Sequence, residues 1–286
     1  LEFRRVLFRS IMWYNVFEVR ELRILSIDFD YFVNPTALQR ALYFPDGGRE
    51  MSDTLNTFVW AGAYAHSKIA TKRAGNEKNS LMQVELLKKP LQAIHNIVMA
   101  QGDICYMVAD SHAHAYDFIN ENWDGSVMEL YNVDFHHDTF DVGEGVHCGN
   151  WLRWLLNDGT VDAAYWVNQP DSELADNMTQ VISLSELPKT GYDLVYICRS
   201  GWWTPPHMDD AFIKYLARPL IANRNGWEVK YQKGIMESRY NNELKNLVKQ
   251  ECIFRDKFPK DMVLQEDLSM PKIDSSGGRW YNNPSI

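Results

Sequence analysis

Short apolar runs alternate along this chain with stretches of helical or polar character. The apolar runs at 22–27, 104–108, 127–133, 161–167 and 193–197 are rich in Val, Ile, Leu and Tyr and too short for helices of their own. They predict buried strands. Asn34-Pro35 predicts a turn or a helix start after the first of them. Residues 45–53 predict a surface loop, 54–64 a helix, and the polar run 68–80 a long exposed loop. Leu81, Val84, Leu87, Leu91, Ile94, Ile97 and Val98 then recur at helical spacing. They predict one amphipathic helix, capped by Ser80 and kinked at Pro90. Further helices are predicted around 116–119, 149–156 (capped near Asn150), 209–216 and 241–251. Strands alternating with helices predict an α/β fold, a three-layer αβα arrangement with a mainly parallel sheet.

Chemistry enters at three of the strand ends. One apolar run opens into Asp134-Phe135-His136-His137-Asp138, another into Asp28-Phe29-Asp30, and a third into Asp110-Ser111-His112-Ala113-His114. In parallel sheets, function gathers at the carboxyl ends of strands. Alternate side chains of an extended strand share a face. Asp134, His136 and Asp138 are therefore expected on one side, and His137 on the other in a supporting or packing place. Carboxylates with imidazoles form a hard O/N donor set, suited to Mn²⁺ or Zn²⁺ and not to a thiolate-preferring metal. A polar strand end without chemistry is the plain alternative for any one motif. Three such ends in one sheet argue against it.

Composition narrows the partners. A net charge of −9 argues against nucleic acid as the main partner and suits a cationic substrate. No run reaches the roughly 18 unbroken apolar residues of a membrane span. Cys105, Cys148 and Cys198 lie in or beside apolar runs without a CxxC pair, which predicts reduced thiols and a cytoplasmic protein. Residues 1–11 precede the first methionine, Met12, and lack an apolar signal core. They are read as a cloning or assembly artefact. The organisation expected is one catalytic domain over 12–260 and a polar extension over 261–286. A homo-oligomer is left open.

Ser26-Ile27-Asp28-Phe29-Asp30 with Asn34-Pro35, Asp134-Phe135-His136-His137-Asp138 and the single His112 together resemble the ureohydrolase superfamily of arginases and agmatinases. In that family the Ser-x-Asp-x-Asp segment comes last in the chain, whereas here it comes first. A circular permutation of an arginase-like sheet accounts for the difference. The permuted order, with Cys148-Gly149-Asn150-Trp151 and Trp203-Thr204-Pro205-Pro206, resembles the bacterial peptide arginases.

The resemblance implies a binuclear Mn²⁺ hydrolase that converts arginine side chains of a ribosomally synthesised precursor peptide to ornithine, releasing urea. It implies two Mn²⁺ ions bridged by Asp28 and Asp134, with His112 and Asp138 completing one and His136 and Asp30 the other. His147 is the candidate proton donor to the leaving amine, and Glu144 the candidate acid holding the guanidinium. His114 is the alternative to His112. Asp110 is expected to support the ligands from behind, and Asn150 to cap a helix, order its loop or touch substrate. Trp202 and Trp203 line a peptide groove or belong to the core. The competing functions are a ureohydrolase of free arginine or agmatine, a deacetylase-like amidohydrolase with one zinc, and a non-catalytic peptide-binding protein.

Overall fold

The sheet grows outward from β1 (Glu21–Asp28), which is buried on both faces from Ile24 onward. A strand of that kind needs neighbours on each edge and a layer against each face. In the computed structural model it pairs in parallel with β5 (Val127–Val133) and with β8 (Leu194–Cys198). Beyond β5 lie β6 (Ala163–Val167) and β7 (Gln180–Val181), and beyond β8 lie β4 (Cys105–Ala109) and β9 (Lys230–Tyr231). The order is β7-β6-β5-β1-β8-β4-β9, every pairing parallel, as expected from the sequence. β2 (Val33–Asn34) and β3 (Glu85–Leu86) form a separate antiparallel ladder. The structure describes residues 21–45, 50, 52–102, 104–141, 145–172, 177–222, 230–231 and 234–256. The expected artefact at 1–11 and the extension at 261–286 lie outside them.

Strand alternation sorts the apolar side chains onto two faces. Leu25 and Ile27 of β1, Tyr131 and Val133 of β5, and Val195 and Ile197 of β8 face one layer. That layer holds α2 (Asp53–Ala74), α3 (Lys88–Ala100) and α6, a continuous helical run of Asp209–Phe212, a π-helical turn Ile213–Ala217 and Arg218–Ala222. α7 (Asn242–Asp256) packs along α2. Leu22, Ile24, Met128, Leu130, Leu194 and Tyr196 face the opposite layer, α4 (His114–Glu121) and α5 (Trp151–Asn157), through Phe118, Ile119, Trp151, Leu152 and Leu155. Both faces of the sheet are thus covered, giving three layers.

The structure corrects two expectations between the short helix α1 (Ala37–Tyr43) and β4. The predicted loop at 68–80 is helical as far as Ala74, where Gly75 ends α2 in a left-handed conformation. Lys, Arg and Ala are good helix formers, and Lys72 and Arg73 favour the carboxyl end of the helix dipole. Polarity there marks an exposed face and not a break. Nor does one kinked helix start at Ser80. Ser80 caps a 3-10 turn (Leu81–Gln83), and the chain enters β3 before α3 begins. Pro90 falls in the first turn of α3, where its missing N–H is no loss.

The β8–α6 connection is held by a buried ion-pair network. Asp209, fully buried, accepts from Arg239 at 2.7 and 2.9 Å, and Arg239 also donates to the carbonyls of Gly201 and Thr204. Arg199 donates to Asp110 at 2.6 Å, which ties the end of β8 to the end of β4. Gly201 leaves no space for a side chain, since a Cβ there would stand 2.6 Å from Asp110 Oδ1. Removing one partner strands a buried charge. Arg239→Ala is expected to lower unfolding free energy by about 3–5 kcal/mol in denaturant titration, and a loss within that of an exposed pair would contradict the network's role.

Candidate metal centre

The register of β1 and β5 sets the site. Ser26 pairs with Asn132 and Ile27 with Val133, so Asp28 and Asp134 come side by side just beyond the last pair. The expectation that extended strands carry all the acids is corrected, because β1 stops at Asp28 and β5 at Val133. An extended segment would set Asp138 about 13 Å from Asp134. Instead Phe29–Phe32 forms a 3-10 turn in which Asp28 Oδ1 accepts from the Asp30 amide at 3.0 Å. His136 N likewise turns back to Asp134 Oδ1 at 2.9 Å. Asp138 has a left-handed backbone (φ +56°), a conformation Asp tolerates better than most residues. Asn132 Nδ2 and the Phe135 amide donate to Asp134 and Asp30, at 3.3 and 3.4 Å, and orient both carboxylates.

His112 arrives from farther away, since β8 separates β4 from β1. Tyr196 on β8 closes that gap. Its hydroxyl donates to the Ser111 carbonyl at 2.5 Å, and its ring stacks on the imidazole at 5.6 Å between centroids. Trp151 lies against the imidazole at 4.8 Å and donates its indole N–H to Asp138 at 2.5 Å. Ser26 Oγ holds His112 Nε2 at 2.7 Å. The other nitrogen, Nδ1, then stands 3.2 Å from Asp28, 3.1 Å from Asp134 and 3.0 Å from Asp138, buried and without a hydrogen-bond partner. Nearby, His136 Nδ1 lies 3.1 Å from Asp30 and 3.8 Å from Asp134. Asp30 Oδ2 is also buried without a hydrogen bond.

Two donor groups result, Asp28–His112–Asp134 and Asp30–Asp134–His136, each close enough to converge on one metal ion. Asp134 belongs to both. The electrostatics agree with a cation site. Burial, then the charges of Asp30 and Asp134, push Asp28 up to about 7. Burial, then Asp138 and Asp30, push Asp134 well above the usual carboxylate range. Burial opposes charge on both imidazoles, yet the carboxylates of Asp134, Asp138 and Asp28 close to Nδ1 raise His112, and Asp30 raises His136 to about 10. Burial also works to raise Asp30, but His136 outweighs it and the group is lowered. Buried Asp and His side chains here could hold a metal ion, and the unpartnered Nδ1 and Oδ2 fit that use.

Comparison with family models, curated proteins and solved structures found no match for this chain. The site therefore speaks through its own geometry.

Of the two histidines weighed after β4, His112 is in the cluster, while His114 is exposed at the start of α4. His137 is buried, 2.6 Å from Thr139 Oγ1 and packed on Phe140 and Trp166. His147 sits in the loop before α5, its amide donating to Asn150 Oδ1 at 2.8 Å, and Asn150 also binds the Gly145 carbonyl. Asn150 thus holds the N-cap position but spends its side chain ordering the loop. Glu144 lies outside the described residues. Trp202 is buried, and Trp203 rests against His136 at 5.4 Å. No helix among the described residues is long and apolar enough to cross a membrane.

Glu50 is the acid that sequence reasoning missed. It accepts from Ser111 Oγ, next to His112. Burial, with Asp28 and Asp110 adding to it against the Ser111 bond, brings it to about 7. It lies in a polar Gly-Gly-Arg-Glu run that carries no periodic signal.

A metal ion must displace the protons held on this cluster, so its binding strengthens with pH. Without metal, the His136 proton stabilises the fold fully below 6.5, and that contribution is lost as pH rises through about 10. Protonated Asp28 contributes in the same sense below 3.8, lost through about 7. The Tm gain on adding Mn²⁺ to chelator-treated protein is expected to be larger at about pH 8.5 than at about pH 6. A gain independent of pH, or none, would contradict the assignment.

Proposed function

We infer that this chain is a binuclear manganese hydrolase converting arginine side chains of a ribosomally synthesised precursor peptide to ornithine and urea. One observation carries the reading: Asp134 belongs to both donor groups, as a bridging carboxylate must. Asp28 would be the second shared carboxylate, His112 and Asp138 would complete the holding of one ion, and His136 and Asp30 that of the other. Bound divalent ions supply Lewis acidity and lower the pKa of water in the site to about 7.

The protein's own groups do the rest. Four carboxylates offset the charge of two divalent ions, which leaves the site receptive to a cationic guanidinium. Glu50, beside Ser111 on the His112 side, holds that guanidinium. Water adds to the guanidinium carbon, the bond from that carbon to the side-chain nitrogen breaks, and the nitrogen leaves as an amine after taking a proton. His147 is assigned as the donor. Trp203 and Phe135 both pack on the His136 ring and help to fix its orientation. A single-zinc deacetylase-like reading leaves the Asp30–His136 pair without a role.

The test is mass spectrometry of arginine-containing peptides incubated with the Mn²⁺-loaded chain. Loss of one CH2N2 unit per converted arginine is expected, with urea in equal amount, and Asp28→Ala is expected to abolish it. Urea from free arginine with intact peptides would shift the substrate to a small guanidine. Full activity and metal content in Asp28→Ala would sink the two-ion reading.

A further inference from the structure

Arg40 stands beside the candidate site without any task in the chemistry above. It lies on α1, a helix pinned at its start by reciprocal bonds between Thr36 and Gln39. Gln39 also reaches the Ser80 carbonyl at 2.9 Å, so the helix has little freedom to move. The Arg40 guanidinium carbon is 4.1 Å from the centroid of the Phe135 ring and 5.6 Å from that of Phe44. Phe135 is the residue between Asp134 and His136, and its ring meets the His136 imidazole edge-on at 5.2 Å. One aromatic ring therefore separates this cation from a candidate metal ligand.

Stacking occupies the face of a guanidinium and leaves its five N–H donors, which lie in its plane, unused. Among the described residues, none of these donors has a hydrogen-bond or ion-pair partner. The acids that face Arg40 are Asp30, itself a candidate ligand, and Asp171 in the loop after β6. With cations in the site, the Asp30 charge is taken up by them. A fixed, half-buried guanidinium with free donors is a fork for two oxygens of one carboxylate.

The geometry points to Arg40 as a specificity residue that binds a carboxylate of the substrate lying close to the group being hydrolysed. This rests on the guanidine-hydrolase reading for the identity of that group. The carboxylate has two sources: the α-carboxylate of a free guanidino acid, or an acidic side chain neighbouring the target arginine in a peptide.

Two substrate pairs separate them on the Mn²⁺-loaded full chain: L-arginine against agmatine, and an arginine peptide with a neighbouring Asp against the same peptide with Asn. The carboxylate member of one pair is expected to have the higher kcat/KM by about tenfold or more, the size of a charge-assisted hydrogen bond. The ratio is expected to collapse towards one in Arg40→Gln and to survive in part in Arg40→Lys, which keeps the charge. Ratios near one for both pairs in the unaltered chain, or a ratio that Arg40→Gln leaves unchanged, would overturn the role of Arg40 while the hydrolase reading stands. If no substrate of either pair is hydrolysed, that reading falls, and calorimetric titration with glutarate decides Arg40 separately. Binding about tenfold weaker in Arg40→Gln supports the carboxylate fork; equal binding overturns it.

Discussion

Four carboxylates lie almost wholly out of water at one edge of the sheet: Asp28, Asp30, Asp134 and Asp138 are all at most 5 % exposed. Burying one isolated ionised carboxylate is already costly, and like charges at this spacing raise each other's pKa further. Only protons or cations make such a cluster tolerable. Two imidazoles supply some of the needed charge, which is why both are raised while Asp28 and Asp134 are also driven towards the neutral form. A cluster that must hold protons to stay buried is one in which divalent ions can take their place.

The surrounding residues make sense as devices for holding that cluster together. Parallel register sets Asp28 beside Asp134, and two local turns fold Asp30 and Asp138 back towards them. His112 has to cross β8, and Tyr196, Trp151 and Ser26 fix the plane of its ring and the nitrogen it presents. Such contacts select the tautomer and orientation of a ligating histidine. Behind them, the Asp110–Arg199 pair locks the loop after β4 to the end of β8, and the Asp209–Arg239 pair ties the start of α6 to the segment before α7. Rigidity at this edge comes from buried polar bonds as much as from apolar packing.

Much of this was legible in the residues. The strands β1, β4, β5, β6 and β8 could be read from apolar runs, because a parallel sheet covered on both faces writes its strands that way. The polar triplets at the ends of three of them marked the edge where the site lies. The pattern hid local backbone geometry. Period-two spacing suggested extended ligand strands, whereas Asp30 and Asp138 sit on turns that only the folded chain reveals. Residues 68–74 hid a helix end behind their charge. Glu50 and Arg40 had no motif to announce them, since each reaches the site through tertiary placement alone. Ser26 did carry a signal, as the first residue of Ser-x-Asp-x-Asp, and its place is under His112 Nε2.

The two-ion centre bridged by Asp134 is the claim on which the functional reading turns, and diffraction at the manganese absorption edge tests it most directly. Crystals of the Mn²⁺-loaded chain should show two anomalous peaks about 3.5–4 Å apart, both within coordinating distance of Asp134, one beside His112 and one beside His136. A single peak, or two peaks of which only one touches Asp134, would contradict the account.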